Sequence, residues 1–400
     1  MAARKLRLGV AGLGRAFMIM LPALSRHPRV EVVAAADLRA EARDRFAADF
    51  GGRAYDTVDA LCNDEGVDAV YLATPHQFHA QNVIAASRAG KHALVEKPMA
   101  VTLAECDAMI AAAKQANVQL LVGHSHSFDA PILRTRELID SGAFGRVRMI
   151  TAAYYTDFLY RPRRPEELDT ARGGGVVFSQ GAHQVDIVRL LAGGMARSVR
   201  AITGAWDSAR PTEGAYSALM TFADGAFASL AYSGYAHFDS DELMNWIGEL
   251  GQRKDPQRYG AARAQLAPPR PPEAESALKA SRGYGATRDS FASPHAHNHF
   301  GQVVVSCDRA DLRPMADGVF VYGDHTRHFD AIAPPAVPRA EVIDELADAV
   351  DGVGAPVHTG EWARATLEAC LAILESSRGG TEVGLTRQVA LPGRPPARVQ

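Results

Sequence analysis

Along the first third of the chain, short apolar runs alternate with stretches of helical period. Residues 6–10, 30–35, 69–73, 93–95 and 119–122 are brief, nearly continuous apolar runs, the pattern of strands buried on both faces. Between them, 39–50, 78–89 and 102–116 are alanine-rich, with apolar positions at helical spacing. Thr102 and Glu105 open the last of these at the spacing of a capping box, in which each side chain accepts the other's backbone N–H. Strands alternating with helices at this period predict a parallel sheet covered on both faces, an α/β Rossmann domain over residues 1–126.

Past residue 128 the rhythm changes. One helical stretch, 132–141, leads into β-type runs at 147–155, 198–202, 216–222, 226–232, 303–307 and 319–322. Ala223-Asp224-Gly225 and Asp317-Gly318 separate such runs as hairpin turns do. The prediction for 127–400 is an α+β domain with a large, mostly antiparallel open sheet. Within it, 252–294 has few apolar residues and the run Pro268-Pro269-Arg270-Pro271-Pro272, so it reads as a mobile surface insertion. Residues 340–378 return to helix.

Composition narrows the class of protein. A chain of 400 residues exceeds the usual size of one core, in keeping with two domains. Hydrophobic residues at 47% and charged residues at 22% are ordinary for a globular enzyme. A net charge of −3 supplies no general attraction for nucleic acid or an anionic membrane. No apolar stretch approaches a membrane span, and the first strand begins too early to leave room for a signal peptide. Cys62, Cys106, Cys307 and Cys370 are far apart with no CxxC, which fits reduced thiols. The expectation is a cytoplasmic enzyme with a small-molecule partner, binding neither nucleic acid nor membrane.

The chemistry gathers at strand ends. Gly12-Leu13-Gly14 follows the first strand and opens a helix at Arg15 and Ala16; two glycines there let backbone approach a pyrophosphate, which the helix N-terminus stabilises. The third small position of that fingerprint is Phe17 instead. Asp37, 25 residues after Gly12, ends the second strand, where a carboxylate accepts the ribose hydroxyls of NAD or simply caps the next helix. Arg39 lies two residues further, within reach of a 2′-phosphate. Thr74-Pro75-His76, with His79, follows the third strand, and Glu96-Lys97-Pro98 the fourth, at the sheet edge where ligands of open α/β folds bind. Taken singly, either motif also suits a capping or solvent-facing role.

Together with Gly173-Gly174-Gly175 and His183-x-x-Asp186, these motifs resemble the glucose–fructose oxidoreductase and inositol dehydrogenase (Gfo/Idh/MocA) family over nearly the whole chain, 252–294 excepted. The resemblance implies an NAD cofactor held by Gly12, Leu13, Gly14, Arg15, Ala16, Asp37, Arg39, Thr74, Pro75, His76, His79, Glu96 and Lys97. It implies that Lys97 and His183 face the nicotinamide as a catalytic acid–base pair. It also implies a homo-oligomer, dimer or tetramer, assembled through the open sheet. Two departures bear on the substrate. Ser179 stands where polyol dehydrogenases of the family often carry aspartate, and 123–128 replaces the Gly-Phe-Asn-Arg-Arg-Phe of many sugar-acting members.

Gly12–Phe17, Gly123-His124-Ser125-His126-Ser127-Phe128-Asp129 and 305–314 are instead similar to phthalate dihydrodiol dehydrogenases. That likeness implies oxidation of a carboxylated cis-dihydrodiol to a catechol, with His124, His126, Arg161, Arg163, Arg164, Arg172, Ser179 and His183 at the substrate. The four arginines suit bidentate carboxylate contacts, although a solvated basic loop explains them equally. A sugar or polyol dehydrogenase, an NAD-dependent glycoside hydrolase and a non-catalytic nicotinamide sensor are the rivals. His295, His297 and His299 alternate as on a strand face, but no acid or thiolate has ligand spacing nearby, so no metal is expected.

Overall fold

In the computed structural model, which describes residues 4–123, 125–267, 271–281, 283–285 and 295–393, the apolar runs of the first third become a six-stranded parallel sheet. Its elements follow in chain order: β1 (Leu6–Ala11), α1 (Arg15–Arg26), β2 (Val30–Ala36), α2 (Ala40–Phe50), β3 (Arg53–Tyr55), α3 (Val58–Cys62), β4 (Ala69–Leu72), α4 (His79–Arg88), β5 (His92–Val95), α5 (Leu103–Gln115) and β6 (Leu120–Val122). The strand order is β3-β2-β1-β4-β5-β6, every pair parallel. Leu8, Val10, Val70, Leu72, Leu94 and Val95 are fully buried, as strands covered on both faces require. The order reverses between β1 and β4, and the crevice at the carboxyl ends of those strands is where such folds take a dinucleotide. The capping box of α5 forms: Glu105 N donates to Thr102 Oγ1 at 3.2 Å and Thr102 N to Glu105 Oε2 at 2.9 Å.

The second unit is built on α6 (Ala130–Asp140), β7 (Val147–Tyr155), α7 (Ala182–Ala192), β8 (Ala196–Gly204), β9 (Ala215–Phe222), β10 (Phe227–Ser233), α8 (Ala261–Leu266), α9 (Pro272–Ala280), β11 (Gln302–Cys307), β12 (Ala310–Met315), β13 (Gly318–Gly323) and β14 (Arg327–Ala331). After them come α10 (Ala340–Asp351), α11 (Gly360–Gly379) and β15 (Val383–Gly384). Nine strands pair in the order β14-β13-β12-β11-β7-β10-β9-β8-β15. Every pair is antiparallel except β7 with β10. On one face Ile150, Ala152, Tyr154, Met220, Leu230 and Val305 are buried, and every residue of α7 is buried too. The other face carries the exposed side chains of Met149, Tyr155, Ile202, Leu219 and Phe227.

The division of the chain differs from the sequence expectation of a single boundary at 126/127. Residues 336–364 belong to the first unit, as does 276–291, and the second unit comprises 125–275, 292–335 and 365–400. The physical reason is an exposed edge and an apolar helix face. Val122 N donates to His358 O at 2.8 Å, and an antiparallel bridge joins Leu121 to Thr359, so this return covers the β6 edge. In α10, Val342, Ile343, Leu346 and Ala347 are buried, and Arg29 reaches Asp348 and Asp351 at 2.6 and 2.9 Å.

The segment expected to be a mobile insertion carries α8 and α9 in its described part. Lys254 pairs with Asp239 and, at 2.9 Å, with Asp241. Arg263 donates to Ala236 O at 2.9 Å and lies 4.1 Å over the Tyr160 ring. Arg210 clamps Glu275 at 2.7 and 3.1 Å. These ties run through charged side chains rather than an apolar stripe, so no local apolar period announced them. Among the described residues, no helix is long and apolar enough to cross a membrane.

One surface network tests the first sheet. Asp68, at the start of β4, accepts Arg7 N and Nε at 3.0 Å each, Arg7 Nη2 at 2.6 Å and Arg4 Nη2 at 2.9 Å. The Arg7 hydrogen bonds hold its carboxyl down at about 2, against an ordinary 3.8. A depressed folded pKa stabilises the fold above the unfolded pKa, and the benefit disappears as pH falls through the folded one. Asp68→Asn should therefore lower the urea midpoint at pH 7, and the gap from wild type should close between about pH 4 and pH 2. A gap that persisted unchanged at pH 2 would refute this origin.

Candidate active site

In the first unit the dinucleotide turn is set by backbone contact. Gly12 has φ +92°, and a Cβ there would stand 2.7 Å from Ala73 O, so only glycine fits against the end of β4. At Gly14 a Cβ would meet nothing within 4 Å. Gly14 is the N-cap of α1 and supplies no side-chain cap, which leaves the helix N-terminus suited to an anion. Phe17, at the atypical third position, is fully buried. Asp37 Oδ2 accepts Leu13 N at 2.8 Å, and its Oδ1 accepts Arg39 N and Nε at 2.9 and 3.0 Å. Arg39 Nη2 adds Asp37 Oδ2 at 3.2 Å and Leu13 O at 2.8 Å. A carboxylate offers about four acceptor positions, so a ribose hydroxyl arriving at Asp37 competes with the 3.2 Å contact, the longest of the four. The glycines, the uncapped helix and the carboxylate together fit a dinucleotide.

The motifs after β4 and β5 lie along the same edge. Thr74 Oγ1 accepts Asn82 Nδ2 at 3.0 Å, and His76 begins a short 3-10 turn, His76–Phe78. His79 requires a correction to its expected cofactor contact. It is buried, with Nε2 2.9 Å from Thr74 O and Nδ1 3.0 Å from Pro98 O, and burial pushes its pKa down to about 4. The neutral ring has one N–H and donates to one of these two carbonyls, and it fills the space between the loop of Thr74 and that of Lys97. Glu96 likewise turns inward, accepting Tyr71 OH at 2.5 Å. Lys97 is half-buried beside it.

In the second unit the triple glycine is explained by crowding. A Cβ on Gly174 would lie 2.7 Å from the carbonyl oxygens of Glu166 and Glu167, and one on Gly175 (φ +84°) would collide with the Glu213 carboxylate. Glu213 accepts Thr170 Oγ1, Thr212 Oγ1 at 3.1 Å and Val177 N at 3.1 Å. Burial still raises its pKa. A π-helical turn, Val177–Gly181, then leads into α7, with His183 at its second position. Ser179 turns its hydroxyl back to Gly175 O within this turn.

His183 is buried, its ring 4.7 Å from that of His126 and 4.9 Å from Phe300. His126 Nδ1 lies 2.6 Å from Asp129 Oδ2, and its Nε2 lies 3.6 Å from Glu249 Oε1. Burial works against charge on this ring, but Asp129 and then Glu249 outweigh it and raise the pKa above 6.5. Asn298 Nδ2 donates to the other oxygen of Asp129 at 3.3 Å. Asp186 accepts Ser127 Oγ and, at 2.8 Å, Thr366 Oγ1.

The arginines have different partners, although Arg161 and Arg163 both lie over the Phe158 ring. Arg161 pairs loosely with Asp157 at 3.3 Å and Glu249 at 3.4 Å. The Arg163 guanidinium lies 3.6 Å over the Phe158 ring and donates to Phe158 O at 2.7 Å, and burial lowers its pKa to about 10. Arg164 pairs with Glu166 at 3.1 Å, and Arg172 is exposed. His124 lies outside the described residues. His297 Nε2 is 2.7 Å from Ala333 O, and His299 Nε2 is 2.8 Å from Ile247 O. Among the described residues no three His, Cys, Asp or Glu side chains are grouped to hold a metal.

Sequence reasoning gave no part to Glu213, Glu249, Asn298 and Phe300, and it read Asp129 only as the end of the 123–129 motif. Only Asp129, three residues after His126, carried a local signal.

The fold and this edge of glycines and carboxylate define a dinucleotide-dependent enzyme. A family model described as the oxidoreductase family with NAD-binding Rossmann fold matches residues 6–124, and the GFO/IDH/MocA C-terminal domain model matches 132–252. The chain is 49% identical over 377 residues to a 1-carboxy-3-chloro-3,4-dihydroxycyclohexa-1,5-diene dehydrogenase from Comamonas testosteroni, covering 93% of this chain and 95% of that one. A crystal structure from Bordetella bronchiseptica RB50 is 42% identical, with a TM-score of 0.90 over 95% of this chain and 100% of the other. The WlbA dehydrogenase of Bordetella pertussis, solved with NADH and UDP-GlcNAcA, shares the fold at 22% identity and a TM-score of 0.67, covering 96% of this chain and 99% of that one. The chain therefore belongs to the Gfo/Idh/MocA family of NAD-dependent oxidoreductases.

Gly175→Ala meets both a left-handed backbone and the Glu213 carboxylate, so it should displace the segment that leads to His183. Misplacement of a reacting group by about 1 Å costs up to about 10²-fold. The expected result is a fall in kcat of about tenfold or more with NAD affinity unchanged; wild-type turnover would contradict it.

Proposed function

We propose that this enzyme oxidises one hydroxyl of a carboxylated cyclohexadiene cis-diol, yielding a catechol. The observation that carries the reading is the 49% identity, over 95% of its length, to a dehydrogenase of a carboxylated dihydroxycyclohexadiene. The departures at Ser179 and 123–128 from sugar-acting members support it. NAD supplies the hydride acceptor. Lys97 and His183 are the proposed acid–base pair: one takes the hydroxyl proton as the C–H hydride leaves, and the resulting enone tautomerises to the aromatic ring. Asp129 and Glu249 raise the pKa of His126, whose ring lies 4.7 Å from that of His183.

Arg161 is the proposed carboxylate contact. Its acidic partners sit at 3.3 and 3.4 Å, and partly exposed pairs of this kind contribute about 0–1 kcal/mol, so a bidentate substrate carboxylate can displace them. Four free cysteines, three of them buried, accord with a reducing compartment such as the cytoplasm.

The experiment is NADH formation with a panel of cis-dihydrodiols bearing two, one or no ring carboxylates, alongside inositol and glucose. The carboxylated diols should exceed the uncharged one by about tenfold or more in kcat/KM, the scale of a charged hydrogen bond. Lys97→Met and His183→Ala should each lower turnover by about 10² while NAD still binds. Equal use of the uncharged diol or a sugar would end the substrate assignment and leave the dehydrogenase in place.

The bare sheet face supports assembly with a second copy. Phe227 pairs with Met149 in register, and Leu219 with Ser229, so apolar side chains recur on this face across β7, β9 and β10. Light scattering after size exclusion should give a dimer or tetramer, and Leu219→Lys with Phe227→Lys should yield monomer. A wild-type monomer at micromolar concentration would refute the interface.

A further inference from the structure

Residues 283–285, within the long excursion, rejoin the cofactor-binding unit at the dinucleotide turn. Tyr284 is buried there, its ring edge-on to Phe17 with centroids 5.2 Å apart, and its hydroxyl donates to Asp49 Oδ2 at 2.7 Å. Its backbone N donates to Leu13 O at 3.2 Å, and its carbonyl accepts Arg39 Nη1 at 3.3 Å. The strap is closely fitted: a Cβ on Gly283 would lie 3.3 Å from Arg39 Nη1, and Gly285 has φ +89° beside Ala42. Phe17, the departure from the small third position of the fingerprint, is the surface on which this tyrosine rests.

We propose that Tyr284 is a positioning residue for cofactor discrimination, holding Arg39 on Asp37 and Leu13 and so closing the adenosine end of the site to the 2′-phosphate of NADP. The proposal rests on NAD as the cofactor and not on the substrate assignment. A 2′-phosphate beside Asp37 needs a cation to offset the carboxylate. Arg39 is placed for that by sequence, but its guanidinium is held by Asp37 at 3.0 and 3.2 Å, Leu13 O at 2.8 Å and Tyr284 O at 3.3 Å. Arg43 is held too, donating to Asp37 O at 2.8 Å and Leu38 O at 3.0 Å. To meet a phosphate, Arg39 would have to release two backbone carbonyls and leave Asp37 without its ion pair. The contacts that confine Arg39 also hold Leu13, the residue between the two glycines, in the conformation that receives NAD.

The test is Tyr284→Ala in the full chain, with dissociation constants for NAD and NADP measured by calorimetry. NAD binding should weaken by about threefold to tenfold without a matching loss for NADP, so that the preference for NAD falls about tenfold. Tyr284→Phe, which keeps the ring on Phe17, should restore most of the preference. An unchanged NAD-to-NADP ratio in Tyr284→Ala overturns the proposal. Should that variant fail to fold, hydrogen exchange on the wild type decides. Binding linkage is reciprocal, so NAD should slow exchange at 283–285 more than NADP does, and equal protection overturns the idea. A wild type that bound neither dinucleotide would instead signal failure of the cofactor assignment.

Discussion

Everything at the cofactor edge depends on one close approach, that of Gly12 to the carbonyl of Ala73. A parallel sheet whose order reverses between β1 and β4 opens a crevice at that point, and the chain must leave β1 and enter α1 across it. With φ at +92° and no side chain, Gly12 makes the turn against the end of β4. The same turn aims the uncapped N-terminus of α1 into the crevice, brings Leu13 N to Asp37 and places Leu13 O between Arg39 and Tyr284.

The second unit meets a different constraint, the cost of burying polar groups. His126, Asp129, His183, Asp186 and Asp241 are all buried. An unpaired buried charge costs several kcal/mol, which favours a partner for each such group. His126 answers it with carboxylates at both ring nitrogens, Asp129 with Asn298 as a second donor, and Glu213 with two hydroxyls and a backbone N–H. This rigidity suits the proton-transfer role proposed for His183 on α7, whose position is set by the segment that leads to it.

How much of this was legible follows from the range of each interaction. The six-stranded sheet could be read because period and apolar runs are local, although β3, three residues long and largely exposed, left no trace. The places of Gly12, Asp37 and Lys97 were legible because a turn or strand end fixes each by its own neighbours. The packing of His79 was not legible: a histidine after a strand looks like a ligand group, and only the tertiary position of Pro98 O shows that its ring lies between two loops. Glu249 and Phe300, both beside His126, lie more than a hundred residues from it in sequence, and no spacing rule reaches so far. The insertion was read as bare surface for the same reason, since its ties run through Arg210, Arg263 and Lys254 rather than through an apolar stripe.

The weave of the chain follows from edge protection. A parallel sheet that ended at β6 with residue 122 would present unpaired N–H and carbonyl groups to solvent. Here the chain returns more than two hundred residues later to supply His358 O and Thr359 to that edge, and His358 is itself held by Glu345 at 2.9 Å through its ring. The buried face of α10 and its ion pairs to Arg29 fasten the same return. The nucleotide-binding half is therefore not a module that ends near residue 126. Severed there, it would lose the cover of β6, the apolar side chains of Val342, Ile343 and Leu346, and the strap at Tyr284 that fixes its own dinucleotide turn.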